Sequence, residues 1–366
     1  MYLPSLPSLT RDLHASASAA QLTLTGCMLG IAFGQLIAGP TSDRFGRRQP
    51  LLIGVAAYMV ASFACALMPS IWPLIVVRFI QGLVGGSGIV IARAVVRDLY
   101  EGSVAARLFG TLIMVTGVAP VLAPVLGAQI LRFTSWRGTF VLLGVVGVLM
   151  LVMAVVGLKE TLPRERRYQG GLRETTRTFA RLVVDRSFAP YALALGLAFA
   201  SMFAYISGSS YVLENVFRTS PQVFSAVFAV NSVGLVTAAQ VGGRIVGRFG
   251  PGRLLRWGLV PFALASLGGL VVILTHAGLW PLLIALFLLL SSAGLVLPNA
   301  IAAAMSGQPS RLGAASALLG LGQFGSGALI APLVGIAGPH DALPMGIVMG
   351  VAGPAALAVA CSFTRG

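Results

Sequence analysis

From Trp257 to Ser310 the chain runs for 54 residues without an Asp, Glu, Lys or Arg. Soluble domains carry about 25% charged residues, so a water-facing fold could not solvate a stretch of this length. Helices that cross a bilayer need the reverse, roughly 20 consecutive apolar residues per crossing. The uncharged stretch supplies two of them, 257–276 and 279–303, joined at the polar Thr275-His276-Ala277-Gly278. Nine more occur at 17–40, 50–69, 71–92, 107–131, 138–158, 189–213, 221–243, 312–337 and 342–363. The 366 residues are 57% hydrophobic and 10% charged, which excludes a cytosolic enzyme, a secreted domain and a disordered chain together. The 45 glycines and 20 prolines fit the same reading, because small residues let membrane helices approach closely. Cys27, Cys65 and Cys361 all fall inside apolar runs and offer neither a disulfide framework nor a metal-ligand spacing. The predicted fold class is an all-α membrane protein with no metal.

A net charge of +15 invites a nucleic-acid partner, but the basic residues are scattered between apolar segments and never gather on one soluble face, so none is expected. Their distribution is topological instead. Of the 25 Lys and Arg, 20 fall in one set of alternate loops and the C-terminal tail, four (Arg11, Arg132, Arg137 and Arg218) in the other set, and Arg78 inside a span. Cytoplasmic loops carry the excess of Lys and Arg, which predicts a multi-pass membrane protein with its C-terminus in the cytoplasm. The longest polar segment, from Lys159 to about Ser187, reads as a cytoplasmic linker with a short amphipathic helix on the membrane surface. It divides the chain into an N-terminal bundle, 1–158, a linker, 159–188, and a C-terminal bundle, 189–366.

A short motif recurs in the two bundles. Gly39-Pro-Thr-Ser-Asp43-Arg44-Phe45-Gly46-Arg47-Arg48 and Gly243-Arg-Ile-Val-Gly247-Arg248-Phe249-Gly250-Pro251-Gly252-Arg253 share Arg-Phe-Gly at an offset of 204 residues. Duplicated halves mark transporter folds, so the offset can be used as a ruler. The second copy follows two spans and the first only one; projecting 189–213 back by the offset puts the stub 1–9 at the outer end of a first helix. The expectation is a parent of twelve spans in two six-helix bundles, with about eleven complete here and the first truncated at its N-terminus. A natural eleven-span protein is the competing expectation.

Several polar residues interrupt the apolar runs. Arg78, within Leu74-Ile-Val-Val-Arg78-Phe-Ile-Gln81-Gly82-Leu-Val-Gly85-Gly86, puts a charge in an apolar helix at a cost of at least about 2.5 kcal/mol, so it must face a polar cavity or a partner. The bland alternative is an arginine that snorkels to the helix end about seven residues away. Gly117, Pro120, Pro124 and Gly127 recur at steps of three and four, one face suited to close packing and bending. Asp43, Arg44, Arg47 and Arg48 sit in a tight turn that Gly46 permits, where pairing with neighbouring helix ends would latch the two halves on the inner side. Positive-inside topology alone would account for Arg47 and Arg48 but not for Asp43, Gly39 and Gly46. In the second copy Gly247 stands where the first has Asp43, so a latch there would be weaker. None of the ten acids sits at the middle of a span, and Glu214 and Asp341 read as solvated rim charges. His14, His276 and His340 have no paired nucleophile or acid cluster, so no enzyme is expected. No Gly-x-x-x-x-Gly-Lys-Ser/Thr occurs either, so ATP is not the energy source.

These motifs resemble the major facilitator superfamily over nearly the whole chain. The string Gly39 to Arg48 resembles its loop between spans two and three, the Arg78-Gln81-Gly82 string its span-four motif in proton-driven exporters, and Gly117 to Gly127 its span-five motif in antiporters. Met1-Tyr2-Leu-Pro-Ser-Leu-Pro, Arg97-Asp98-Leu, Trp136-Arg137 and Lys159-Glu160-Thr-Leu-Pro163 are similar to the Bcr/CflA drug-resistance branch, which includes exporters of bicyclomycin, chloramphenicol and florfenicol type drugs. The resemblance implies a major facilitator fold and proton-coupled drug efflux by alternating access, with the proton gradient as energy source and no cofactor. A metabolite importer or exporter of the same superfamily is the alternative. Arg78 would act in proton coupling beside a carboxylate that the branch carries immediately before Met-Tyr-Leu-Pro, a position ahead of Met1. The expected partners are a small drug, protons and the lipid bilayer, and the expected state is a monomer. Tyr2, Gln81, Phe203, Tyr205, Asn231, Asn299 and Phe324 are the candidate cavity residues.

Overall fold

A computed structural model describes residues 2–100, 123, 126–163, 165, 167, 179–308 and 312–363. Among them there is no strand. A 3-10 turn at Leu3–Ser5 leads into α1 (Leu6–Asp12), followed by α2 (Ala17–Phe45), α3 (Arg48–Leu67), α4 (Ile71–Leu99), α5 (Trp136–Gly157), α6 (Ala189–Tyr211), α7 (Pro221–Phe249), α8 (Pro251–Leu274), α9 (Leu279–Ser306), α10 (Leu312–Val334) and α11 (Leu343–Phe363). Ten of these helices, α2 to α11, are long and apolar enough to cross a membrane, and each falls on one of the spans expected from the sequence. The remaining expected span, 107–131, lies almost wholly outside the described residues.

Local chemistry sets the helix ends. The hydroxyls of Ser16, Ser135 and Ser220 accept the N–H of Ala19, Arg137 and Val223, giving partners to donors that the first turns of α2, α5 and α7 would leave orphaned. Prolines open α6, α7 and α8, where a missing N–H removes no helical bond. Both α2 and α7 end on a glycine with positive φ, +93° at Gly46 and +76° at Gly250, and the chain turns directly into α3 and α8. The sequence repeat is thus a repeat of backbone geometry.

Helix packing follows the small residues. In the first half α2 lies against α4: a Cβ at Gly30 or Gly34 would fall on the backbone of Phe79 or Leu83, and one at Gly82 on the backbone of Cys27. The second half packs α7 on α9 the same way, with Gly294 against Leu235 and Ala239. Helix α6 is central, 61% buried along its apolar window, whereas α5 is 17% buried and presents Leu149, Val152, Met153 and Val156 outward. The halves meet where α2 packs on α10 and where α1 touches α6.

Candidate functional site

Arg78 is 8% exposed and anchors the polar centre of the first half. Its Nη1 donates to Gln81 Oε1 at 2.5 Å, one turn along α4, and Gln81 Nε2 donates to Ser62 Oγ at 2.7 Å. Ser62 Oγ in turn donates a hydrogen bond to the carbonyl of Tyr58 at 2.7 Å, so the chain of hydrogen bonds ends on the α3 backbone. The guanidinium lies over two rings, 5.1 Å from the centroid of Tyr2 and 5.6 Å from that of Phe140. Such cation–π contacts contribute more when desolvated, about 2 kcal/mol. No carboxylate pairs with Arg78 among the described residues, and its Nε has no hydrogen-bond partner there. The snorkelling alternative fails, since this side chain is buried in a cage of named partners. The cage extends outward: Tyr2 shares a 2.7 Å hydrogen bond with Thr23, Phe140 meets Trp136 edge-on, and Trp136 Nε1 donates to Asp12 at 3.0 Å.

The candidate cavity residues separate into clusters. Tyr2 and Gln81 belong to the Arg78 cage. In the second half Asn231 Nδ2 donates to the Tyr205 hydroxyl at 3.0 Å, and the Tyr205 ring stacks on Phe228. Phe203 stacks on Phe199, which meets Phe324 edge-on at 5.8 Å. Asn299 turns back to the carbonyl of Leu295 in its own helix. Sequence reasoning missed Tyr58, Ser62, Cys65, Thr23 and Phe140. Tyr58, Ser62 and Cys65 stand at i, i+4 and i+7, a polar stripe on an otherwise apolar helix that would have found the α3 side of the cage.

The turn between α2 and α3 is a second polar centre. Arg47 reaches Asp43 at 2.5 Å, Ser42 at 2.8 Å and Asp98, at the end of α4, at 2.8 Å. Burial works against its charge, but Asp98 and Asp43 outweigh burial and raise its pKa above the ordinary arginine value. Glu160 caps the start of α3, accepting the backbone N–H groups of Arg47 at 2.8 Å and Arg48 at 3.3 Å, and those of Thr161 and Leu162 from its own segment. Desolvation would raise its carboxyl, but the N–H donors of Arg47, Leu162 and Arg48, with Arg167 nearby, hold it below the usual carboxylate value. Arg48 donates to the carbonyls of Leu158 and Val155 at the end of α5, whereas Arg44 lies over the Phe45 ring and is outside the network. The described contacts of this turn therefore join α2, α4 and the segment after α5, all on the first half's side, and none reaches the second half. Gly39 has open space around it.

The rim charges divide. Asp341 is exposed and caps α11 by accepting the N–H of Leu343. Glu214 departs from the solvated reading: it lies half-buried in a π-helical turn, Val212–Val216, and its Oε1 is buried without a hydrogen bond. Immediately before that turn, Thr10 of α1 shares a 2.6 Å hydrogen bond with Tyr211, the last residue of α6. Gly117, Pro120 and Pro124 lie outside the described residues; Gly127 is buried in the helical stretch that follows them.

The sequence profile of the Major Facilitator Superfamily matches residues 1–332. The chain belongs to the major facilitator superfamily. It is 40% identical, over 95% of its length and 87% of the relative's, to the uncharacterized MFS-type transporter YdgK of Bacillus subtilis (strain 168). It is 30% identical, over 96% of its length and 88% of the relative's, to a bicyclomycin resistance protein homolog of Haemophilus influenzae. A chloramphenicol resistance protein of Pseudomonas aeruginosa is 31% identical over 71% of this chain and 61% of that protein. Among solved structures, a D-xylose-proton symporter superimposes with a TM-score of 0.76 at 17% identity, covering 100% of this chain and 92% of that one. At that identity it shares the fold alone. This major facilitator is a multi-pass membrane transporter.

Proposed function

We propose that the protein exports drugs or other small, largely apolar molecules across the inner membrane, in exchange for protons and as a monomer, by alternating exposure of a site between its halves. The observation that carries the drug-export reading is the 30% identity over nearly the whole chain to a bicyclomycin resistance protein homolog. The Arg78 cage supports the coupling: a buried guanidinium favours the ionised form of a nearby carboxylate, and its influence changes as the surrounding cavity opens and closes. Chloramphenicol retention in pump-deficient bacteria expressing the gene tests this, with and without a protonophore. Retention should fall on expression and recover when the proton gradient collapses. Unchanged retention across a broad drug panel, with the protein present in the membrane, would move the reading to a metabolite transporter. Arg78→Ala should abolish efflux without loss of membrane insertion.

A further inference from the structure

The face that α2 turns to the second half carries Ser18, Gln21 and Thr25, spaced three and four residues apart and so on one side of the helix. All three donate across the seam to backbone carbonyls: Ser18 to Pro332 at 3.2 Å, Gln21 to Ser207 at 3.2 Å and Thr25 to Ala328 at 2.8 Å. They lie toward the end of the seam away from the Arg-rich turns. The carbonyl of Ala328 is set apart by the helix that carries it. A proline inside a helix has no N–H to give the carbonyl four residues before it, and Pro332 sits in α10 four residues after Ala328. Ala328 is 1% exposed, so its carbonyl is a buried acceptor without its usual helical donor, and the Thr25 hydroxyl is the donor that satisfies it.

We infer that Thr25 and the carbonyl freed by Pro332 form the latch that sets the balance between the two access states. The inference rests on the alternating-access reading above. With the seam closed, the Thr25 proton satisfies the Ala328 carbonyl. When the seam parts, the carbonyl loses that donor and takes water from the opening vestibule, so closure is favoured by the difference between a protein partner and water. Thr25 is a positioning residue in this scheme, and the proline is what gives its hydroxyl a partner across the seam.

A double-mutant cycle with a conformational readout tests the pair. Spin labels on Ser70→Cys and Ala337→Cys, at the same end of the two halves, report open and closed populations in lipid nanodiscs once the three native cysteines are replaced by alanine. Thr25→Val should raise the open-to-closed ratio by about fivefold, the effect of one net hydrogen bond, and Thr25→Ser should restore it. Pro332→Ala returns an N–H to α10 and lets the helix satisfy its own carbonyl, so in that background Thr25→Val should leave the ratio unchanged. An equal shift by Thr25→Val in both backgrounds, or none in either, would overturn the latch while leaving alternating access standing. A single unchanging distance in every variant, with drug present or absent, would overturn alternating access and the latch together.

Discussion

The two copies of the Arg-Phe-Gly turn share a backbone and differ in what they hold. Gly46 and Gly250 both have positive φ, and the preceding arginines lie over the adjacent rings alike, Arg44 at 5.4 Å from Phe45 and Arg248 at 5.5 Å from Phe249. The first turn then adds Asp43, Arg47, Asp98 and Glu160 as a connected ion and hydrogen-bond network. At the offset of 204, Asp43 becomes Gly247 and Arg47 becomes Pro251, so acid and base are replaced together. Pro251 opens α8 without needing a capping carboxylate for its own nitrogen, which is the service Glu160 gives to Arg47. The same bend is therefore held by side chains in one half and by proline in the other.

The largest way to break this difference is Arg47→Ala. It removes a 4% exposed guanidinium and leaves Asp98, itself 14% exposed, without its cation, for an expected loss of about 3 kcal/mol read from thermal unfolding in detergent. Glu160→Gln tests the capping carboxylate through pH. Because folding lowers the Glu160 pKa, its contribution is present above the unfolded carboxyl value of about 4.3 and disappears as pH falls through the lower folded value. The melting-temperature advantage of the wild type over Glu160→Gln should shrink as pH falls below about 5 and stay constant above it. An advantage independent of pH would remove the electrostatic account of the cap. The smallest effect is expected from rebuilding the first turn in the second half. Gly247→Asp with Pro251→Arg restores only an exposed i, i+4 pair, with no equivalent of Asp98 or Glu160 placed there by the sequence repeat. A gain above about 0.5 kcal/mol would show that the ion pair alone, and not its connected network, makes the first turn different.

Much of the molecule is legible in the chain. The expected stretch 279–303 is α9, Leu279–Ser306, and 17–40 is contained in α2, because in a bilayer each segment must satisfy its own backbone and bury its own length. The anomaly of Arg78 is equally visible, since a charge in an apolar helix needs a partner wherever the fold places it. Its cage is less so. Ser62 and Phe140 lie 16 residues before and 62 residues after Arg78, in helices whose facing sides hydropathy does not mark. The same limit hid the role of four segments noticed only for their resemblance. Asp98 pairs with Arg47, Glu160 caps α3, Trp136 binds Asp12, and Tyr2 lies under Arg78.

Sequence by itself determined the ten crossings among the described residues, the basic turn at Arg47 and the repeated bend, because these depend on composition and chirality within about 30 consecutive residues. Tertiary structure decided which polar group meets which. Thr25 and Ala328 are 303 residues apart, and only the register of α2 on α10 brings that hydroxyl to the carbonyl that Pro332 leaves free. Lipid is as apolar as the helix faces themselves, so hydrophobicity selects no partner inside the bilayer; close approach of small residues and satisfaction of buried donors and acceptors do.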